Sequence, residues 1–198
     1  MKLSKIFLTL GLIFAGFICF QTVSAQATNN PQTITDYYLL LPNENLPILE
    51  SVRSRRSIIK TEDTKNGFLR LEGAWEGWAE IALFRKTNKE AVVAVNAVEC
   101  GPACDGVVQF LTYKNGKWTD ATAQMMPELS DEDIIAAYLR INTKDDDAHT
   151  LEDMPSTYWV LPQKGTTIKL VLGDETASGG KTLMSFNWNG IKFVRAAR

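Results

Sequence analysis

Three Asn-Gly pairs, Asn66-Gly67, Asn115-Gly116 and Asn189-Gly190, punctuate this 198-residue chain. Each stands between short stretches rich in β-branched and aromatic residues. Asn-Gly supplies two consecutive positive φ angles, the backbone a tight two-residue hairpin requires, so each pair predicts two antiparallel neighbours joined directly. A chain with such turns at short intervals is steered towards sheets of sequentially adjacent strands.

Six strands are expected in the first half: 58–63, 68–73, 78–86, 90–99, 106–114 and 117–122. In the second, Leu69 and Leu71 alternate with Arg70 and Glu72, the period of a strand with one wet face. "AVVAVNAV" is almost continuously apolar and reads as a central strand covered on both sides. Four further strands, 157–161, 166–172, 182–188 and 191–195, close the chain. Between the two groups, "PELSDEDIIAAYLRIN" predicts a helix over 130–142. Ser130 is its N-cap, Asp131, Glu132 and Asp133 complement the positive end of the dipole, and Ile134, Ile135, Tyr138, Leu139 and Ile141 form an apolar stripe. Upstream, Asp36 is expected to cap a helical turn that Pro42 ends, with Tyr37, Tyr38 and Leu39–Leu41 docked on the body. The expected fold class is mainly β with one helix (α+β), its antiparallel sheets forming a sandwich or barrel-like single domain. Its core would draw on Leu69, Leu71, Ile81, Leu83, Val93, Val95, Val108, Phe110, Ile134, Leu139, Ile168, Leu170, Phe186 and Phe193.

The first 25 residues carry other information. Lys2 and Lys5 precede an apolar run from Ile6 to Phe20, and Val23-Ser24-Ala25 is a small-residue cleavage site, so 1–25 reads as a secretory signal peptide. Ile18 before Cys19 argues against lipoprotein processing. Residues 26–35 are a polar, flexible leader and 36–198 the domain. The expected location is exported, periplasmic or extracellular, with no membrane span after cleavage. Removing Lys2 and Lys5 from the 21 basic residues leaves 19 against 23 acidic ones, a formal charge of −4. That balance disfavours nucleic acid as a partner. The local run Arg53, Arg55 and Arg56 reads as solvated surface.

Two hairpins, "FLTYKNGKWTD" (110–120) and "SFNWNGIKFVR" (185–195), place aromatics around their Asn-Gly, the glycines lying 74 residues apart. Duplication of one unit, giving related halves 58–122 and 157–195 joined by helix 130–142, is one explanation; convergent hairpin chemistry is the other. The pattern F-x-W-N-G-x-K-F and the order "NGFLRLEG…GWAEIALFRK…CGPAC…NGKW" resemble uncharacterised exported bacterial β-rich proteins over most of 36–195. That resemblance implies no activity.

Candidate chemistry is sparse. "AVECGPACDG" holds Cys100 and Cys104, the two cysteines beyond the leader. Zinc needs about four ligands and the chain has one histidine, His149; the C-x-x-x-C spacing is not that of a redox C-x-x-C. In an exported protein the expectation is a disulfide, with no metal and no cofactor. His149 stands in an acidic loop with Asp145–Asp147, Glu152 and Asp153, where EF-hand spacing is absent, and no nucleophile elbow accompanies it. Gly180-Lys181-Thr182 ends like a phosphate loop, but Glu175 stands where that motif needs glycine and a strand follows. Ser178-Gly179 resembles the Ser-Gly loop of bacterial lysozyme inhibitors, with Thr182 in place of their tyrosine.

One stretch remains, "EGAWEGWAE" (72–80). Trp75 with Glu72, Glu76 and Glu80 offers an aromatic, hydrogen-bonding surface for a ligand or partner. Paired carboxylates are also what glycoside hydrolysis uses. With no catalytic residues identified, the expected function is an exported non-catalytic binding or interaction protein of the cell envelope, its partner an envelope protein or glycan. The alternatives are an inhibitor of an extracellular hydrolase, and a carbohydrate-acting enzyme using the 72–80 loop.

Overall fold

The computed structural model describes residues 31–46, 52–142, 149–173 and 180–197. The expected signal peptide, most of the leader, Asp145–Asp147 and Ser178-Gly179 lie outside them.

The chain enters through helix α1 (Ile34–Leu40), a 3-10 turn (Asn43–Asn45) and helix α2 (Val52–Ser57). Six strands follow: β1 (Ile59–Asp63), β2 (Phe68–Glu72), β3 (Gly77–Arg85), β4 (Ala91–Cys100), β5 (Cys104–Lys114) and β6 (Lys117–Asp120). They form one antiparallel sheet in chain order; the expectation of two positive angles at every Asn-Gly holds at Asn115-Gly116 alone, because 64–67 and 189–192 are four-residue connections in which only the glycine takes a positive φ. Asn115 and Gly116, with φ of 52° and 78°, take the two positive angles of the tight turn between β5 and β6. Helices α3 (Thr122–Met125) and α4 (Asp131–Ile141) lead to a second sheet of β7 (Thr157–Val160), β8 (Thr167–Leu172), β9 (Thr182–Trp188) and β10 (Phe193–Arg195), ordered β10-β9-β8-β7. Among the described residues the architecture is two antiparallel sheets with few helices, sandwich-like and with no closed barrel.

Alternation along β3 decides what each face meets. Trp78, Ala82 and Phe84 turn towards the second sheet; Ala79 and Ile81 turn towards α1. The larger sheet is therefore covered on both sides. Between the sheets, Phe84, Val92 and Phe110 pack with Ile168, Phe186 and Phe193. On the outer face Ile34, Tyr37, Tyr38 and Leu41 cover Leu69, Leu71, Ile81, Val93 and Val95. Double coverage explains why β4 is apolar on both faces. Of the expected core, Leu83, Ile134 and Leu139 are half-buried and the others buried. Helix α4 sinks Ala137 and Tyr138 and leaves its isoleucines at the rim.

Three local expectations are corrected. Thr33, not Asp36, caps α1: its hydroxyl accepts from the Asp36 N–H while the Asp36 carboxylate accepts from the Thr33 N–H, a capping box begun three residues earlier. Residues 121–122 leave the sheet to begin α3 rather than ending β6. Arg55 is not solvated surface but 3% exposed. Its guanidinium donates to the Tyr38 carbonyl and Asn43 Oδ1, and the Tyr38 hydroxyl donates to the Arg55 carbonyl, clasping α2 to α1. Burial pushes the Tyr38 hydroxyl up to about 12, against the pull of the Arg55 charge.

Candidate functional site

The 72–80 stretch spans the end of β2, a four-residue connection and the first half of β3. Gly77 makes the re-entry possible. Its φ is 145°, and a Cβ there would run into the Val98 carbonyl of β4. Trp75 folds back over the same edge: its indole N–H donates to the Val98 carbonyl at 3.0 Å and its half-buried ring packs on the outer-face core. The Glu76 side chain is exposed, and its backbone carbonyl accepts from Cys100 N–H at 2.8 Å.

Glu72 and Glu80 take different positions from Trp75 and Glu76. Arg70 stands opposite Glu80 across β2 and β3 and two residues before Glu72 on the same face. Its Nε lies 2.6 Å from Glu72 and its Nη1 3.3 Å from Glu80, while the guanidinium stacks on the Trp78 ring at 4.7 Å. The two carboxylates thus converge on one cation rather than facing each other across open space. Glu80 is not on the surface at all, being 5% exposed. Its Oε2 accepts from the Leu161 N–H at 2.8 Å and from Asn96 Nδ2 at 3.4 Å; Asn96 also donates to the Trp159 carbonyl at 2.6 Å. A buried polar seam therefore joins β2, β3 and β4 to the chain at the end of β7. Burial raises the Glu80 carboxyl above its usual value, opposed by the Leu161 N–H, Arg70 and Asn96. Trp78 is buried edge-on to Tyr158, with ring centroids 5.4 Å apart, and its indole N–H has no hydrogen-bond partner.

Of the four residues expected to share a surface, only Glu76 is exposed; Trp75 and Glu72 are half-buried and Glu80 is core. Parity carried the missing signal. Glu80 lies two residues from Trp78 and four from Phe84, so all three share a face, and that face is covered.

Cys100 and Cys104 pair across the first rung of β4 and β5, their sulfurs 2.13 Å apart. The hairpin end they close is held from both sheets: Ser156 Oγ, just before β7, donates to the Cys104 carbonyl at 2.7 Å. His149 and Asp153 are exposed, the His149 backbone N–H donating to Asp153 at 2.9 Å in the cap of a 3-10 turn. Among the described residues no group of three His, Cys, Asp or Glu side chains is placed to hold a metal ion, and no helix is long and apolar enough to cross a membrane.

No protein-family model matches the chain, and no curated protein matches it. Among solved structures it is similar to a domain of an uncharacterized protein from Porphyromonas gingivalis W83. The two are 17% identical, the match covers 81% of this chain and 96% of that one, and the TM-score is 0.52. The likeness is one of fold: this chain folds like a bacterial domain of uncharacterised function.

Proposed function

We propose that the chain is an exported, non-catalytic binding protein of the cell envelope, its partner a protein or glycan found there. One observation carries the reading: two of the three carboxylates of the most enzyme-like stretch, Glu72 and Glu80, are committed to the framework, leaving the exposed Glu76 without a carboxylate partner. Glu72 and Glu80 share Arg70, and Glu80 further accepts from the second sheet's backbone. A glycosidase needs one carboxyl free to protonate the leaving oxygen and another aimed at the sugar ring or its water. The signal-peptide pattern of residues 1–25 and the Cys100–Cys104 pair support export to an oxidising compartment.

Incubating the protein from Gln26 onwards with purified envelope polysaccharide, and with envelope protein extract, tests the reading. Co-sedimentation or a stoichiometric complex, with no new reducing ends, is the expected result. Reducing ends that accumulate with wild type and disappear with Glu72→Gln or Glu80→Gln would overturn it.

A further inference from the structure

The antiparallel order of the larger sheet gathers like charges at several of its turns, although the β1–β2 tip carries Asp63 beside Lys65. The tips β1–β2, β3–β4 and β5–β6 fall at one end and the loops β2–β3 and β4–β5 at the other. The second end carries Glu72, Glu76, Glu99 and Asp105. The first gathers cations far apart in sequence: Arg85, Lys86 and Lys89 around the β3–β4 tip, Lys114 and Lys117 around the β5–β6 tip. Between these two tips lies a pocket of about 380 Å³, within the range of small-molecule sites.

Its lining has the composition of a site for a charged, hydroxylated ligand. Arg85, Lys86, Lys89 and Lys114 supply positive charge, Tyr37 and Tyr113 aromatic rings, and Thr112, Asn115 and Gln124 hydrogen-bonding groups. One carboxylate lines it, Glu90, engaged by Lys86 Nζ at 3.4 Å. The side chain of Asn88 first, and then Lys86 with a further pull from Lys114, hold the Glu90 carboxyl below its usual range. Lys114, which lines the pocket, stands directly across from Lys117, which lies outside it, a like-charge pair that adds to the positive field at this tip at a cost in stability. Lys89 sits at φ 68°, a left-handed position where glycine or asparagine would be less strained, yet a cation occupies it.

We propose that this pocket binds an anionic sugar, Lys86, Lys89 and Lys114 taking its phosphate or carboxylate and Tyr113, Asn115 and Gln124 meeting its ring and hydroxyls. The inference rests on the reading of the chain as a binding protein and names the ligand class. In an overall acidic molecule such a rim draws anions by local field rather than by net charge.

Amide NMR spectra of the labelled protein, titrated with glucose 1-phosphate, glucuronate, inorganic phosphate and glucose, test it. Saturable shifts at residues 86–91 and 112–117 with either charged sugar are expected; which one binds tighter separates phosphate from carboxylate recognition. Inorganic phosphate should bind about tenfold more weakly and glucose should shift nothing. The double variant Lys89→Glu/Lys114→Glu should lose the response while its other amides keep their positions, and Lys60→Glu, elsewhere on the sheet, should bind as wild type. No saturable shift, equal binding of inorganic phosphate, or equal loss in Lys60→Glu would each overturn the site. Such a result leaves the non-catalytic reading standing. Conversion of glucose 1-phosphate to a new phosphorus species during the titration would do the opposite, keeping the site and sinking that reading.

Discussion

Asn96, in the central strand of the larger sheet, donates its side-chain amide to the backbone carbonyl of Trp159 in the smaller one at 2.6 Å. The residue is fully buried and its Oδ1 has no hydrogen-bond partner, so the side-chain amide acts through its donor alone. Asn96→Ala strands the Trp159 carbonyl and removes one of the Glu80 contacts. We expect a loss of about 2–3 kcal/mol in urea unfolding with an unchanged denaturant slope. A loss under about 0.5 kcal/mol would mean that this hydrogen bond does not help to hold the sheets together.

Arg70 compensates a carboxylate that is almost wholly enclosed. Arg70→Ala leaves Glu80 buried without its cation, and about 3–5 kcal/mol should be lost. Adding Glu80→Gln to that variant should return part of it, because the uncompensated charge goes too. The double-mutant cycle checks this; additive losses would contradict it.

Glu80 also sets a pH dependence of unusual sign. Its carboxyl is raised in the folded state, so the folded protein favours the protonated form. The stability linked to this group is fully present below the usual value of 4.5 and is lost as pH rises through the higher folded value. Asp63, Asp133 and Asp153, whose carboxyls are held low by hydrogen bonds, contribute the opposite slope, losing stability as pH falls through their folded values. The stability of wild type minus that of Glu80→Gln isolates the first effect. That difference should decline as pH rises from 4.5; a flat difference would show Glu80 titrating as an ordinary glutamate.

The Cys100–Cys104 ring spans five residues, and closing so small a loop restrains the unfolded chain by only about 2 kcal/mol. Replacing both cysteines with serine should lower stability by that amount and leave the hairpin's amide spectrum largely in place. Native mature protein should show no free thiol before reduction and two after it.

Gly173 follows β8 at a place where the chain passes over the cysteine hairpin. A Cβ there would strike the Cys104 carbonyl and Ser156 Oγ, and its backbone N–H donates to the Ser156 carbonyl. Gly173→Ala should cost about 3 kcal/mol through overpacking. Gly165→Ala, with open space around the Cβ but φ of 84°, should cost only about 1 kcal/mol. Thermal unfolding of the two variants separates the mechanisms.

The strand order was legible because its causes are local. Asn66-Gly67 and Asn115-Gly116 fix turns between neighbours, and Ser130 fixes the start of α4. Which side of each strand meets water was not, because that depends on what the chain brings over it later. Glu80 looked like a wet-face residue until β7, some eighty positions downstream, delivered the Leu161 N–H to it. Arg55 looked solvated until Tyr38 and Asn43 closed around it. The basic rim has no sequence signature either, since only the antiparallel order brings the tip holding Lys89 beside the one holding Lys114.

The tryptophans sit at joints. Trp75 donates to the Val98 carbonyl, Trp118 to that of Leu40 and Trp188 to that of Arg85, each fastening one segment of the chain to another, while Trp159 rests on Phe186 and Trp78 under Arg70. The molecule thus comes with a set of optical gauges already mounted. A protein keeping one indole and phenylalanine at the other four positions would report, by emission colour and quenching, on the opening of a single joint: the entry helix from the sheet edge with Trp118, or one sheet from the other with Trp188.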